Sequence, residues 1–372
     1  MTDLKNELLN KTLKRRKFIT GAAAGAAAVG ASTFPAPAIA SGNREWKMVM
    51  TWQKVLPGLG TGAVRLANRI TKLSEGKLTV KPFGGGELVP AMQVFDAVSQ
   101  GTAEMGHCAS YYWLNKNKAA AFFCSVPGGM TAQEQNAWLY FGGGQKLWDE
   151  LYAEFGLKAF PAGNTGTQMG GWYNKPINDV SDIEGLKIRM PGLAGEVIKR
   201  LGGNAQTIPP QELFTSMQSG VIDALEWVGP WNDIALGFHR VAKHYYGPGF
   251  HEGGPTLELM VNKKAYDELP KELQRVVKTA CATENILMEA EFYANNLKSY
   301  QLLKYKHKVD IRKFPKDVLK AFYKISEEVV AEVANEGTLS KRIYESYTKF
   351  RKYSMEMSEV AELGFMNGRN IK

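Results

Sequence analysis

The sequence predicts an α/β fold arranged as two similar lobes, and three observations predict it. Strand-like and helix-like segments alternate over residues 45–109. A helix–glycine–strand unit recurs roughly 120 residues further on. From about Lys271 the chain turns mostly helical, which provides the covering layer that such sheets need. At 372 residues there is enough chain for two hydrophobic cores.

The first forty residues stand apart from this pattern. Arg15-Arg16 is followed by Phe18-Ile19, by the weakly apolar GAAAGAAAVGAS, and by Ala38-Ile39-Ala40, a small-x-small cleavage pattern. The segment 1–40 therefore reads as a cleaved signal peptide of the twin-arginine sort. Its apolar run is too short and too rich in Ala and Gly to make a good membrane anchor. Cleavage after Ala40 leaves 332 residues and lowers the formal net charge from +9 to +5, because six Lys/Arg and two Asp/Glu go with it. Much of the basic excess is thus targeting, and it gives no case for a nucleic-acid partner. Cys108, Cys124 and Cys281 sit in apolar neighbourhoods at spacings that match no metal motif. Buried free thiols are the default for them, although an oxidising compartment permits one disulfide.

Glu45–Trp52 reads as the first strand and Gly58–Leu73 as a helix, with Val64, Leu66, Ala67, Ile70 and Leu73 on one face. Lys77–Phe83 alternates as a strand should. The turn GGGE (84–87) leads to Pro90, a good helix-start residue, and a helix to about Gln100. Ala103–Ala109 is strand-like and ends at Ser110-Tyr111-Tyr112-Trp113. This order argues a parallel sheet, with one of the two tyrosines facing its carboxyl end. The echo lies in QVFDAVSQGTAEMGH (93–107) and ELFTSMQSGVIDALE (212–226), where Phe95, Gly101 and Glu104 match Phe214, Gly220 and Asp223 without a gap. The second unit delivers Glu226, Trp227, Gly229-Pro230 and Trp231 to the end of its strand.

Between the two units runs Asn164–Gly192, NTGTQMGGWYNKPINDVSDIEGLKIRMPG, flanked by strand-like LKAFPAG (157–163) and Lys187–Met190. Gly166, Gly170 and Gly171 would let the backbone approach a ligand closely. Arg189 lies in an apolar strand before Pro191-Gly192. Two readings stand for it: a rigid donor fork for a carboxylate, or an ion pair with Asp179, Asp182 or Glu184. The loop 245–255 is rich in Gly, Pro and aromatics and carries Glu252, the make of a binding loop. Thr256–Val261 resumes as a strand, Asn262 caps a helix, and Asp310–Phe314 interrupts the helical tail. Glu327–Val333 and Ile343–Leu363 are charged and amphipathic, as lobe-covering or bridging helices are.

Five long motifs carry a resemblance: GGGELVP (84–90), PAGNTGTQMGGWY (161–173), GLKIRMPGLAG (185–195), IDALEWVGPWND (222–233) and YYGPGFHEGGPT (245–256). The chain resembles the substrate-binding proteins of tripartite ATP-independent periplasmic (TRAP) transporters, in the branch that binds 2-oxo acids and related monocarboxylates. The likeness runs over essentially all of residues 41–372. It implies a periplasmic, two-lobed periplasmic-binding-protein-like fold with crossover strands and long C-terminal helices. Lobe 1 would comprise 41–162 with about 256–292, lobe 2 would comprise 163–255 with about 293–330, and bridging helices would fill 331–372. It implies capture of a small pyruvate- or lactate-like carboxylate by hinge closure and delivery to a TRAP membrane permease.

By the same resemblance Arg189 grips the substrate carboxylate, and Asn164, Gln168, Tyr111, Tyr112, Trp172 and Trp227 line the pocket. Gln168, Glu226, the main-chain carbonyl of Trp227, and Glu252 hold a cation. His251 departs from the tryptophan that the family carries there. The residue chemistry agrees: two glutamates near a pocket would repel an anion, and a hard cation between them removes the conflict. Oxygen donors suit Na⁺ or Ca²⁺ and leave both open. Bland alternatives stand beside these roles. Trp172 and Trp227 could be plain core, and Glu252 could pair with a lysine. The tail after Ile343 either bridges lobes or pairs with a second subunit in a homodimer. A rival function is a secreted metal-dependent enzyme acting on a small carboxylic acid. His107, His239, His244, His251 and His307 form no metal-spaced pair, however, and no nucleophile stands beside a base. A third reading, a ligand-sensing subunit for a membrane receptor, would share the pocket and differ in partner.

Overall fold

A computed structural model describes residues 43–371. The signal-peptide reading of 1–40 lies outside them. Eleven strands form two sheets among the described residues. The first sheet comprises β1 (Arg44–Met50), β2 (Leu78–Phe83), β3 (Met105–Cys108), β4 (Leu157–Asn164) and β10 (Thr256–Asn262), in the order β2-β1-β3-β10-β4. The second comprises β5 (Gly171–Tyr173), β6 (Lys187–Arg189), β7 (Asn204–Gln206), β8 (Ala224–Leu225), β9 (His244–Gly247) and β11 (Asp310–Lys313), in the order β11-β9-β5-β8-β6-β7. The chain therefore crosses between sheets from β4 to β5, back from β9 to β10, and again from β10 to β11.

The strands of residues 45–109 are parallel, as expected, and the crossings add antiparallel neighbours to them. β1 runs parallel to β2 and β3, but β10 is antiparallel to both β3 and β4. In the second sheet β5 is antiparallel to β8 and β9. A strand that enters from the other lobe arrives from the opposite end, so each sheet is mixed. β4 and β10 are buried along nearly their whole length, which is why they read as continuous apolar runs without alternation.

The internal echo is a structural repeat. A short helix, Val94–Ser99, ends at Gly101 with φ 76° and feeds β3, and Leu213–Gln218 ends at Gly220 with φ 74° and feeds β8. The matched acids do the same job. Glu104 Oε2 accepts the main-chain N–H of Lys47 at 2.8 Å, and Asp223 Oδ2 accepts that of Lys187 at 3.2 Å. Each ties the loop before one strand to its parallel neighbour.

The longest helix, Lys271–Gln301, braces both lobes from behind. Its buried Glu284 takes a bidentate hydrogen bond from Arg65 on the first-lobe helix Leu59–Leu73. Towards its C-terminal end, Asn296 Oδ1 accepts the Trp231 N–H of the second-lobe helix Pro230–Ala235 at 3.0 Å. Lys316–Glu332 packs on the helix Gly192–Arg200 of the second lobe. Thr338–Val360 lies on the first lobe, where Tyr347 Oη accepts the Met130 N–H at 3.0 Å. All three cysteines are buried free thiols. Among the described residues no helix is long and apolar enough to cross a membrane.

Candidate functional site

Five segments converge where the two sheets face each other. β6 presents Arg189, the end of β8 presents Glu226 and Trp227, and the turn after β3 presents Tyr111 and Tyr112. The two crossovers bring Gln168 and His251-Glu252, and they are laced together. The Gln168 N–H donates to the Glu252 carbonyl at 3.1 Å, and the Gly249 N–H donates to the Gln168 carbonyl at 3.0 Å. Residues that join the lobes are thus also residues of the site, so lobe motion and site geometry are mechanically linked.

Arg189 is 1% exposed. None of Asp179, Asp182 or Glu184 is its partner; Glu226 is. Arg189 Nη1 donates to the Glu226 carbonyl at 2.8 Å and to the Glu226 carboxylate. Its guanidinium carbon lies 5.0 Å from the centre of the Trp227 indole, a cation–π contact. Burial works against its charge, but Glu226, together with Tyr112, Tyr111 and Glu252, offsets this and raises its pKa. Nη2 makes only a 3.5 Å contact to the Tyr112 hydroxyl, and Nε has no partner. One edge of the fork, Nε with Nη2, is therefore available to a carboxylate.

The acceptors beside it are also underused. Glu226 Oε2, Glu252 Oε2 and Gln168 Oε1 are buried without a hydrogen-bond donor. A buried oxygen left so costs about 1–3 kcal/mol or more, and three together mark a cation cradle. Burial, then repulsion from Glu226, pushes Glu252 up to about 8. Burial raises Tyr111 well above its ordinary value and pushes Tyr112 up to about 12, so both stay neutral donors. Oxygen donors of this kind fit Na⁺ or Ca²⁺. Sequence reasoning left His251 out of the site. The structure puts its Nε2 2.6 Å from Glu226 Oε2, without the alignment of a hydrogen bond.

Tyr111 and Tyr112 form a wall between two cavities. The inner one, about 10 Å³, is bounded also by Trp52, Thr165, Gln168 and Trp227, and it has room for about one water. The outer one, about 620 Å³, opens between Lys116 and Met190, Gly192 and Arg200. Both tyrosines reach the cleft because residues 110–113 form a 3₁₀ turn, not the strand continuation that would have sent them to opposite faces.

Three expectations are corrected. Trp172 lines neither cavity. Its indole stacks on Tyr245 at 4.1 Å and donates to Asp233 at 2.9 Å, inside the second-lobe core. Asn164 likewise braces loops, with Nδ2 donating to the Gly254 carbonyl at 3.0 Å and Oδ1 accepting the Gly166 N–H at 2.8 Å. Gly170 and Gly171 approach protein instead of ligand. A Cβ at 170 would meet the Phe314 ring at 2.3 Å, and one at 171 would meet the Leu225 carbonyl at 2.5 Å. Sequence reading also missed Asp233. It accepts from Trp172, from Tyr245 at 2.7 Å and from the Gly229 N–H at 3.1 Å, which fixes the loop that carries Glu226 and Trp227. An acid three residues after a Gly-Pro pair was the available signal.

A buried half-used guanidinium beside a cradle of bare oxygens, at the seam of two sheets joined by crossovers, defines a two-lobed solute-binding protein. Residues 52–336 match the bacterial extracellular solute-binding protein family 7, DctP, and the chain belongs to that family. It is 43% identical over 325 residues to a monocarboxylate 2-oxoacid-binding periplasmic protein of Nostoc sp. (87% of this chain, 89% of the relative). A TRAP solute-binding protein of Pseudoalteromonas atlantica with bound sodium and pyruvate superposes with a TM-score of 0.85 at 38% identity (89% of this chain, 100% of that one). One from Colwellia psychrerythraea with bound calcium and pyruvate gives 0.84 at 38% identity (88% and 100%). A third, from Bordetella bronchiseptica, a dimer with calcium and picolinate, gives 0.86 at 37% identity (88% and 97%). The protein is a TRAP-transporter receptor of the solute-binding kind, not an enzyme, which removes the alternative of a secreted metal-dependent enzyme acting on a small carboxylic acid.

Proposed function

We propose that this chain captures a small 2-oxo or 2-hydroxy monocarboxylate, pyruvate- or lactate-like, together with one Na⁺ or Ca²⁺, and hands it to a TRAP permease in the periplasm. The observation that carries this is the free Nε–Nη2 edge of Arg189 beside the bare oxygens of Gln168, Glu226 and Glu252. The residues divide the labour by charge. Arg189 binds the carboxylate, while Tyr112 orients it by its hydroxyl. A bound cation supplies neutralising charge and a site for the ligand's second oxygen. Trp227 stacks on the guanidinium and excludes water, which strengthens the ion pairing inside. The tyrosine wall and the cleft beside it give a ligand its way in.

The lobe borders 41–162 with 256–292 and 163–255 with 293–330 belong to this reading, and the membership of the two sheets supports them. So does export by a twin-arginine leader. We also read the C-terminal segment as a homodimer contact. Beyond its packing on the first lobe it exposes Tyr353, Met355, Met357, Val360, Phe365 and Met366, an apolar surface that a second subunit would cover. Calorimetric titration of small carboxylates with each ion tests the central reading. Tight pyruvate or lactate binding that needs Na⁺ or Ca²⁺ is expected. Ion-independent binding, or preference for a dicarboxylate, would refute it.

A further inference from the structure

The cradle contains one donor that is not an oxygen. His251 is 3% exposed. Its Nδ1 is buried without a hydrogen-bond partner, and its Nε2 stands 2.6 Å from the Glu226 carboxylate, as in an ion pair. His107, as deeply buried, turns its Nε2 to a main-chain carbonyl, that of Ala162 at 3.2 Å. His251 instead turns Nε2 toward Glu226 Oε2. One ligand atom each from His251, Glu226 and Glu252 lies within 4.8 Å of the others. Donors on opposite sides of one ion at 2.1–2.3 Å are about 4.2–4.6 Å apart, so these spans fit a shared ion after small shifts. Gly249 makes room for the ring, because a Cβ there would stand 2.8 Å from His251 Cε1.

We propose that His251 Nε2 is a direct ligand of the bound cation, so that this chain holds a mixed nitrogen–oxygen site that takes a divalent transition ion of the Mn²⁺-to-Zn²⁺ series as well as Na⁺ or Ca²⁺. The inference rests on the reading of Gln168, Glu226 and Glu252 as a cation site and extends it. Its chemical basis is donor softness. Imidazole adds little for Na⁺ or Ca²⁺, which prefer oxygen, but it strengthens binding progressively from Mn²⁺ onward. Two carboxylates keep the site hard enough for Mn²⁺. A nitrogen-bearing cradle would also favour chelating 2-oxo acids, because a transition ion holds a carboxylate and the adjacent oxo oxygen as a pair.

The test is Mn²⁺ binding to the full chain, read by electron spin-echo modulation on protein grown with natural and with ¹⁵N-labelled histidine. Bound Mn²⁺ should show a directly coordinated histidine nitrogen, and the label should change its coupling. In His251→Gln that coupling should vanish, and the preference for Mn²⁺ over Ca²⁺ in competition should fall at least about tenfold. Oxygen-only coordination of Mn²⁺, in a protein whose pyruvate affinity still responds to Ca²⁺ or Na⁺, overturns the histidine assignment and leaves the cation reading standing. A histidine coupling that survives in His251→Gln overturns it as well. Should no cation bind or alter pyruvate affinity, both readings fall. If His251→Gln does not fold, the labelled unmodified protein still decides between nitrogen and oxygen.

Discussion

Arg189 Nη1 donates to the main-chain carbonyl of Glu226 at 2.8 Å and also pairs with that residue's carboxylate. Glu226 is therefore tied at both ends to the arginine, while its second oxygen faces His251 Nε2 at 2.6 Å. The pair fixes the plane of the guanidinium and leaves Nε without a partner and Nη2 with only the Tyr112 hydroxyl. Arg189→Lys tests the geometry apart from the charge. Lysine keeps a cation against Glu226 but cannot present two donors in one plane. Carboxylate affinity should fall at least tenfold, about 1.4 kcal/mol, with little change in melting temperature. Arg189→Ala should lose at least ~2 kcal/mol of binding and also strand a buried carboxylate. Near-native affinity in both variants, measured by calorimetry, would exclude the clamp.

Removing the cation should weaken ligand binding in proportion to the repulsion it relieves. Gln168, Glu226 and Glu252 each hold an oxygen without a donor. After chelation and exchange into a potassium buffer, the affinity for pyruvate should drop at least about tenfold, and Ca²⁺ or Na⁺ should restore it. Glu252→Gln removes one charge of the cradle and should weaken the ion's effect. Titrations that superimpose with and without either ion would refute a bridging role.

The sequence carried much of this because the relevant signals are local. A glycine after an amphipathic helix marks a left-handed stop, so both copies of the repeat could be read, down to the matched Glu104 and Asp223. Arg189 stood out because an apolar strand seldom holds a charge without a task. What could not be read were partners set by the crossovers. Glu226 is 37 residues from Arg189 in the chain, and only the β6–β8 pairing makes them neighbours. Trp172 looked like a pocket wall because its partner Asp233 lies 61 residues away. His251 looked like a departure in a loop, since its closeness to Glu226 arises only where the loop folds against the end of β8.

The repeat makes a matched pair of stability predictions. Gly101 and Gly220 have φ 76° and 74°, and a Cβ at 220 meets nothing within 4 Å while one at 101 touches only Asn262 at 3.9 Å. Alanine at either place should thus be penalised by backbone strain and not by collision. Each substitution should cost about 1–2 kcal/mol, and the two costs should be similar. Urea unfolding of Gly101→Ala and Gly220→Ala checks this. A cost at one and none at the other would show that the two turns are not equivalent.

Glu258 sets a pH dependence in the first lobe. It lies fully buried on β10, where its Oε1 accepts from Trp113 Nε1 at 3.0 Å and from the Cys108 thiol at 3.2 Å. Burial pushes it up to about 7 against these hydrogen bonds. In the unfolded chain it titrates near ~4.3. The folded-state value is raised, so the protonated form favours folding. That contribution is complete below about pH 4.3 and is lost as pH rises through about 7. The full swing is on the order of 3 kcal/mol. Glu258→Gln carries no titrating proton, so its stability relative to the unmodified protein should rise steadily between pH 4.5 and 7.5 and level off above. Glu252 and Asp233 also titrate in this range, but both proteins contain them, and their effects cancel in the difference. Urea midpoints for the two proteins at intervals of half a pH unit measure it. Parallel curves across that window would mean that Glu258 stays ionised in the core, held there by its donors.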